Sequence, residues 1–454
     1  MTAGKAGTIF ARRALLGDGW AENVHLQWDT TGIISQIITD RPSTITDTQI
    51  DALIPGMANL HCHSFQRAMA GLAEISQSKT DSFWSWRKLM YHFVGKLTPK
   101  DMQVIAAFAY MEMLESGFTS VGEFQYIHNQ NDGDPYDDPA EISNRIIEAA
   151  AITGIDLTLL PVFYAHSGFG GKPLEPEQNR FKHNVDSFLS LVQLLNAKHD
   201  DIIVGIAPHS LRAVTPDELQ DLLAAKMPGP VHIHAAEQKA EIHACKAELG
   251  SPPIRWLLDN ADIDQSWCPI HATHMRTDEI SDLAKSGAIA GLCPITEANL
   301  GDGIFDGVGF LSDGGQFGIG SDSCVRIDLT EELRLLEYGQ RLRDQGRAKL
   351  APEGISVGSH LFRQAANGGA KALQQNSGVI AVGKKASFVS LDTGQASLSN
   401  HKNDELLDGW IFATQRPAIQ HVWVLGERIV ENGFHNKHDV IIKTYTELLK
   451  QSIS

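Results

Sequence analysis

The sequence predicts an α/β protein: a (β/α)8 TIM-type barrel with a small β-sandwich domain formed by both chain ends. Eight short apolar runs alternate with longer helical segments between residues 55 and 376, which is typical of a parallel sheet built from βα units. Short β segments broken by Gly and Asp turns fill residues 1–54, and the same texture returns over residues 377–454. We therefore expect the first and last segments to form one small domain, with the barrel at 55–376 and a last helix at about 437–451.

The individual strands follow from these runs. In the small domain we expect β segments over Thr8–Phe10, Val24–Trp28, Ile34–Ile38, Ala386–Leu391 and His421–Val430, the last of which carries a turn at Gly426-Glu427. The eight barrel runs are Met57–His63, Phe118–Phe124, Leu157–Tyr164, Ile202–His209, Val231–Glu237, Cys268–His274, Ala288–Ile295 and Phe317–Ser323.

Capping signals predict helices between these runs. Thr215-Pro216 with Glu218 three residues after the threonine marks one helix start. Thr277 opens another apolar series, which ends near Gly287. These signals support the alternation of strand and helix.

Composition limits the possible functions. The 454-residue chain has a formal net charge of -17 and a pI near 5.5, which opposes binding to nucleic acid or to an anionic membrane surface. No stretch approaches the roughly 18 apolar residues of a membrane span, and the N-terminus lacks a signal-peptide core. The five cysteines are scattered without C-x-x-C spacing. We expect a cytoplasmic protein with reduced cysteines that acts on a small molecule.

A pair of histidines, His61 and His63, ends the first barrel run. In a strand, residues i and i+2 point to the same side, so both imidazoles can reach one metal ion. With 19 histidines in the chain an H-x-H pair also occurs by chance, so a metal site requires further ligands elsewhere.

Other barrel runs end in residues that could complete such a site. The candidates are His232, His234 and Glu237 in the fifth run, His271 in the sixth and Asp322 in the eighth. Side chains at the carboxyl ends of barrel strands converge on one mouth. Three imidazoles and one carboxylate that leave a position for water are typical of a catalytic metal site. Asp322, His271 and Glu237 are available as base and acid for the activated water.

The order P-G-x-x-N-x-H-x-H, H-x-x-E, a sixth-strand histidine and G-S-D resembles the amidohydrolase superfamily, specifically its aminohydrolase branch. The resemblance covers nearly the whole chain, including the divided β domain. It implies that His61, His63, His234 and Asp322 bind one divalent ion, with Zn2+ the expected metal. It also implies that Glu237 shuttles protons and that His271 orients the hydrolytic water.

Two ligand assignments have alternatives. His232 competes with His234, and the resemblance favours His234 because it stands three residues before Glu237. His274 competes with His271, which is nearer the strand end. Many binuclear superfamily members carry a bridging lysine on strand four, but that run ends in His209, so one metal ion is expected. The other family of zinc deaminases needs a C-x-x-C motif that this chain lacks.

Longer motifs narrow the resemblance. They are SFQRAMAGL (64–72), FWSWRKLMYHF (83–93), TSVGEFQY (119–126), APHSLRAV (207–214) and TEANLGDGIF (296–305), and they resemble superfamily members that deiminate N-formimino-L-glutamate in histidine degradation. The substrate has two carboxylates, and arginine's planar fork suits carboxylates. The resemblance implies that Gln66, Arg87, Tyr126, His209 and Arg212 bind it. Without it, Arg87 could equally form a surface salt bridge, and Gln66 and Tyr126 could be packing residues.

The implied reaction is attack of metal-activated water on the formimino carbon, with Asp322 taking the water proton and Glu237 protonating the terminal nitrogen. N-formyl-L-glutamate and ammonia result. A nucleobase or purine-derivative aminohydrolase with the same metal site is the main alternative, and a non-catalytic scaffold is a second. The resemblance also implies a homodimer.

Overall fold

The structure is a computed structural model that describes residues 6–43, 49–74, 83–415 and 418–452. The N-terminal segment forms β1 (Gly7–Leu16), β2 (Gly19–Trp28), β3 (Ile34–Ile38) and β4 (Gln49–Pro55). The barrel segment forms β5 (Met57–Cys62), β6 (Phe118–Gln125), β7 (Asp156–Phe163), β8 (Ile203–Val204), β9 (Ala207–Pro208), β10 (Val231–Ala235), β11 (Trp267–His271), β12 (Ile289–Leu292) and β13 (Gln316–Ile319). The C-terminal segment adds β14 (Phe388–Leu391), β15 (Ile419–Val424), β16 (Glu427–Glu431) and β17 (Phe434–His435).

The helices lie between these strands as the capping signals predict. They are α1 (Phe83–Val94), α2 (Pro99–Glu115), α3 (Glu141–Thr153), α4 (Val185–Lys198), α5 (Pro216–Ala224), α6 (Lys239–Leu249), α7 (Pro253–Asn260), α8 (Thr277–Ser286), α9 (Pro294–Leu300), α10 (Gly307–Ser312), α11 (Leu329–Asp344), α12 (Val357–Ala372), α13 (Asp404–Phe412) and α14 (His438–Ser452). Short 3-10 helices span Ser64–Met69 and Pro176–Phe181. The Thr215 hydroxyl accepts the Glu218 N–H at the start of α5, and α8 ends before Gly287, whose φ is +87°. Both predicted boundaries are confirmed.

The barrel segment forms a closed parallel sheet. Its strand order is β10-β11-β12-β13-β5-β6-β7-β8, and β9 continues the path beside β7. Parallel bridges from Ile206 to Val231 and from Ser210 to His234 join the two ends of this order. Apolar side chains such as Leu60, Ile270 and Ile289 are fully buried among these strands. The predicted barrel is confirmed.

The fourth barrel strand differs from its prediction. The run Ile202–His209 forms two short pieces, β8 and β9, instead of one strand. Gly205 stands between them, where an added Cβ would lie 2.4 Å from the Pro230 carbonyl oxygen. The close approach of the Pro230 carbonyl at this glycine explains the interruption.

Both chain ends build the second sheet. Its order is β17-β16-β15-β14-β4-β1-β2-β3, so the two halves of the chain meet where β14 pairs antiparallel with β4. The sheet curls over itself: the rings of Trp28 and Phe388 lie 5.8 Å apart although two strands separate them in the sheet order. The Ala386 N–H also donates to the Gly32 carbonyl at 2.7 Å. The curled sheet thereby encloses an apolar core of its own.

The last helix, α14, packs against α2 on the barrel. The rings of Tyr445 and Phe108 stack with centroids 3.9 Å apart. Helix α1 and the turn Pro176–Phe181 lie together beside the barrel mouth, where the loops after the strands gather. Among the described helices, none is both long and apolar enough to cross a membrane.

Candidate metal centre and active site

Four potential metal ligands converge at the carboxyl ends of the barrel strands. His61, His63, His234 and Asp322 are buried, and each places one ligand atom within 4.8 Å of the others. These four residues are called the ligand group below. The Nε2 atoms of His61 and His234 are 3.1 Å apart. Asp322 Oδ1 lies 3.5 Å from His61 Nε2 and 3.3 Å from His63 Nε2. The two strands that position the histidines, β5 and β10, and the loop after β13 therefore meet at one point.

Backbone pairing fixes two of these elements relative to each other. The Asp322 N–H donates to the His61 carbonyl at 3.0 Å, and the His63 N–H donates to the Asp322 carbonyl at 2.9 Å. Below them, the Asn59 side chain donates to Ser321 Oγ at 2.8 Å and accepts the Ser321 N–H at 3.0 Å. The asparagine of the P-G-x-x-N motif thus holds the G-S-D turn against the strand that ends in the two histidines.

The donor atoms suit a cation. His63 Nδ1 lies 3.0 Å from the Phe124 carbonyl oxygen, and His234 Nδ1 lies 3.0 Å from the His209 carbonyl oxygen. A carbonyl can only accept, so each Nδ1 carries the proton and each Nε2 presents a lone pair. Two imidazole lone pairs and the Asp322 carboxylate are aimed at one point, and they repel one another unless a cation lies between them. The donor set therefore fits a divalent metal ion of the zinc type.

The protonation states of the four residues agree with a metal site. Burial lowers the pKa of His61 to about 3 and also lowers the pKa values of His63 and His234. Burial would raise the pKa of Asp322, but its hydrogen bond to His61 and the nearby histidines hold it well below the usual range. All four groups are accordingly in the deprotonated form that binds metal.

The structure separates the competing histidines. His232 is fully buried, and its Nε2 donates to the Ala372 carbonyl at 2.8 Å, so it lies outside the ligand group. His274 is partly buried, and its Nε2 lies 2.9 Å from the Asp302 carbonyl oxygen in the loop. His271, by contrast, lies beside the ligand group, with Nε2 at 3.7 Å from Asp322 Oδ2. The geometry favours His234 as the ligand and His271 as the functional histidine of strand six.

Two ionisable groups with shifted pKa values flank the ligand group. Glu237 Oε1 lies 3.8 Å from His271 Nε2. Burial raises the pKa of Glu237 to about 7, so this carboxyl can both give and take a proton near neutrality. Burial alone would lower the pKa of His271, but Glu237, Glu297 and Asp322 outweigh it and raise it to about 10. His271 is therefore an imidazolium at neutral pH.

Glu297 is a residue of the site that the motif analysis did not single out. Its Oε1 accepts the His271 Nδ1–H at 3.2 Å and the Cys293 N–H at 2.9 Å. A second group of possible ligand atoms joins His271, Cys293 and Asp322. A protonated imidazole has no lone pair for a metal, so this group is the weaker candidate. The only signal for Glu297 in the sequence was its place in the TEANLGDGIF motif.

Three non-glycine residues of the site have left-handed backbone. Their φ values are +58° at Ala236, +71° at His271 and +43° at Asp322. This conformation costs an L-residue on the order of 1 kcal/mol, and aspartate and histidine tolerate it better than most. The predicted strand runs that reach Glu237, His274 and Ser323 end earlier in the structure because the chain turns here.

A cavity extends from the ligand group toward α1. Members of the ligand group line this cavity, and so do Glu237 and His271. All five candidate substrate-binding residues line it as well: Gln66, Arg87, Tyr126, His209 and Arg212. Gln66 Nε2 donates to Tyr126 Oη at 2.9 Å, and Arg87 Nη2 donates to Tyr164 Oη at 2.7 Å. The rings of His209 and His234 lie 4.9 Å apart. The motifs at 64–72, 83–93, 119–126 and 207–214 thus meet in one place.

The same cavity has lining residues that sequence reasoning did not name. They are Trp86, Met90, Thr296, Leu300 and Ser323. The first four belong to motifs that the sequence analysis quoted, and Ser323 follows the candidate ligand Asp322. The quoted motifs therefore reach the cavity, but for these side chains they did not indicate which ones line it.

Family models match almost the whole chain. The model of the Amidohydrolase family matches residues 52–429. The model described as "Formimidoylglutamate deiminase HutF, N-terminal domain" matches residues 6–49.

Known proteins of similar sequence and structure cover the full length. A formimidoylglutamate deiminase from Pseudomonas aeruginosa is 46% identical over 445 residues, which cover 97% of this chain and 98% of that protein. The crystal structure of an amidohydrolase from Brucella melitensis matches with a TM-score of 0.94 at 46% identity, over 98% of this chain and 100% of that one. An adenosine deaminase from Xanthomonas campestris with bound zinc matches with a TM-score of 0.81 over 98% of each chain, but at 18% identity it shows the shared fold alone.

Proposed function

The chain belongs to the amidohydrolase family, and we propose that it hydrolyses N-formimino-L-glutamate to N-formyl-L-glutamate and ammonia. The observation that carries the proposal is the cavity in which Arg87 and Arg212 lie together with the ligand group. Two guanidinium groups in an acidic protein suit a substrate with two carboxylates. The 46% identity to the Pseudomonas aeruginosa formimidoylglutamate deiminase supports the same substrate.

The metal we propose is one Zn2+ ion held by His61, His63, His234 and Asp322, whose donor atoms fit such a cation. The bound ion would act as a Lewis acid that lowers the pKa of water toward neutrality. The His63 and His234 rings are held in the ligand tautomer by the carbonyls of Phe124 and His209.

The protein's own groups move the protons of the reaction. Water adds to the formimino carbon, so that a C–O bond forms, and the terminal nitrogen leaves as ammonia when its C–N bond breaks. Asp322 accepts a proton from the water, and Glu237 delivers a proton to the leaving nitrogen, a role that suits a carboxyl with a pKa of about 7. The His271 imidazolium donates from Nε2 and orients the attacking water, while Glu297 holds the ring by Nδ1.

The remaining cavity residues bind the substrate. Arg87 and Arg212 take one carboxylate each, and Gln66, Tyr126 and His209 add hydrogen bonds from strands one, two and four.

An ammonia-release assay tests the proposal. Purified protein loaded with Zn2+ is given N-formimino-L-glutamate, guanine or adenosine, and ammonia is measured for each. We expect turnover of the formimino compound alone. Release from guanine or adenosine with no release from N-formimino-L-glutamate would replace the proposal by a nucleobase or purine-derivative aminohydrolase.

Assembly and location complete the proposal. The family resemblance supports a cytoplasmic homodimer that acts on a small molecule, and the net charge of -17 opposes binding to nucleic acid or to an anionic membrane. Size-exclusion chromatography with light scattering tests the dimer, for which the expected mass is twice 49.6 kDa. A mass of 49.6 kDa would show a monomer instead.

A further inference from the structure

The guanidinium of Arg87 is held by aromatic phenols. Its Nη2 donates to Tyr164 Oη at 2.7 Å, and its central carbon lies 5.1 Å from the centroid of the Tyr91 ring. Tyr164 follows strand β7 and is 1% exposed, so its ring cannot swing into solvent. An arginine presents five N–H groups in one rigid plane, and fixing one of them fixes the directions of the others.

Gln178 connects both phenols. Its Nε2 donates to Tyr91 Oη at 3.0 Å and to Tyr164 Oη at 3.1 Å. Its Oε1 accepts the Glu175 N–H at 2.9 Å. This hydrogen bond fixes the orientation of the amide, so that the NH2 group points toward the two phenols. Tyr164 Oη therefore accepts from both Arg87 and Gln178, and both of its lone pairs are used. The amide of Gln178 in this way orients the phenol oxygen toward the guanidinium.

The segment that carries Gln178 also holds the end of α1. Arg180, on the same 3-10 helix, donates from Nη1 to the carbonyls of Val94 and Leu97 at 2.6 and 2.8 Å. Arg180 is 3% exposed, and its hydrogen bonds to these carbonyls join the helix end to the turn. The turn Pro176–Phe181 thus anchors α1 both at its C-terminal end and at Arg87.

We propose that Tyr164 and Gln178 are positioning residues that hold Arg87 in the orientation that receives a substrate carboxylate, and so determine specificity for the dicarboxylate. The inference rests on the proposed function, because it assigns to Arg87 the carboxylate that N-formimino-L-glutamate supplies. Neither residue touches the reacting atoms, so their effect is on substrate binding.

A double-mutant cycle tests this inference. Tyr164→Phe and Gln178→Leu are each made in the wild type and in Arg87→Met, and Tyr136→Phe is the matched control. Tyr136 lies in the same region, and its hydroxyl accepts a hydrogen bond from Arg180 Nη2 at 3.2 Å. Steady-state kinetics with N-formimino-L-glutamate are recorded, with metal content and melting temperature as controls for folding.

We expect Tyr164→Phe to lower kcat/KM about 10-fold or more, because one hydrogen bond to a charged group is lost, and to do so mainly through KM. Gln178→Leu should act in the same direction with a smaller effect. In the Arg87→Met background each change should lower kcat/KM by less than about 2-fold, because the arginine that it would position is already absent. Tyr136→Phe should match the wild type.

The outcomes separate this inference from the proposed function. If the wild type releases no ammonia from N-formimino-L-glutamate, the proposed function fails. If the wild type is active but Tyr164→Phe and Gln178→Leu behave like Tyr136→Phe, the positioning role is overturned. It is also overturned if the two changes lower kcat/KM as much in the Arg87→Met background as in the wild type. The cycle is run independently for each variant, so a variant that does not fold leaves the other to decide.

Discussion

The Nε2 atoms of His61 and His234 lie 3.1 Å apart, although the residues are 173 positions apart in the chain and belong to β5 and β10. The two strands lie on different sides of a closed barrel. At this distance two imidazole nitrogens need a proton or a cation between them. Burial lowers the pKa values of both rings and so disfavours the imidazolium form, which leaves either one neutral N–H or a cation to bridge the two nitrogens. This pair is the basis for the first prediction.

Metal analysis of the purified protein should find one tightly bound divalent ion per chain. His234→Ala should lower the metal content severely, because it removes one of the four proposed ligands. His232→Gln is the matched control: it changes the neighbouring histidine, whose Nε2 donates to the Ala372 carbonyl, and should retain the ion. Two tightly bound ions per chain, or a loss of metal only in His232→Gln, would contradict the ligand set.

Glu237→Gln should leave the metal content near normal and lower kcat by about 100-fold or more, the usual scale for losing a positioned acid or base. The amide keeps the size of the side chain and cannot deliver the proton. Asp322→Asn should be worse, since that residue is proposed both to bind metal and to accept a proton. A Glu237→Gln enzyme with wild-type kcat would remove this residue from the mechanism.

Arg87→Met and Arg212→Met should each lower kcat/KM for N-formimino-L-glutamate strongly. Losing one partner of a desolvated charge pair costs about 2 to 5 kcal/mol, or roughly 30-fold to several thousand-fold. Metal content should not change, because neither arginine belongs to the ligand group. Unaltered kcat/KM in both variants would defeat the dicarboxylate hypothesis.

Truncated substrates sharpen the same test. N-formimino-4-aminobutyrate lacks the α-carboxylate, and N-formimino-2-aminobutyrate lacks the distal one. Each should be a poor substrate of the wild-type enzyme. For each analogue, one of the two arginines has no carboxylate to bind, so replacing that arginine by Met should lower kcat/KM much less than it does with the full substrate. Equal turnover of a formimino analogue without carboxylates would point back to an uncharged substrate.

Glu297→Gln should reduce kcat by roughly 10-fold with metal content unchanged. The carboxylate accepts the Nδ1–H of His271 at 3.2 Å and helps to keep the ring charged, and an amide oxygen can accept the bond but supplies no charge. Because the residue acts through His271, the double variant with His271→Asn should be little worse than His271→Asn alone. An additive loss in kcat would show that Glu297 acts independently of the histidine.

The sequence by itself determined the fold class. The alternation of apolar runs and capped helices is a local property of the chain, and the barrel and the divided β domain follow from it. It also identified the four converging ligand candidates, because the motif spacing places His61, His63, His234 and Asp322 at strand ends, and strand ends of a parallel barrel share one mouth.

Only the tertiary structure decided matters that depend on packing between distant segments. His232 and His234 are equivalent by spacing, and they are distinguished by the carbonyls they face, Ala372 and His209. The interruption of strand four depends on the approach of Pro230 to Gly205. The anchoring of Arg87 likewise needs Tyr164 and Gln178, which are 77 and 91 residues further along the chain. Local patterns carry no information on such contacts, because the folded barrel alone brings these side chains within hydrogen-bond distance.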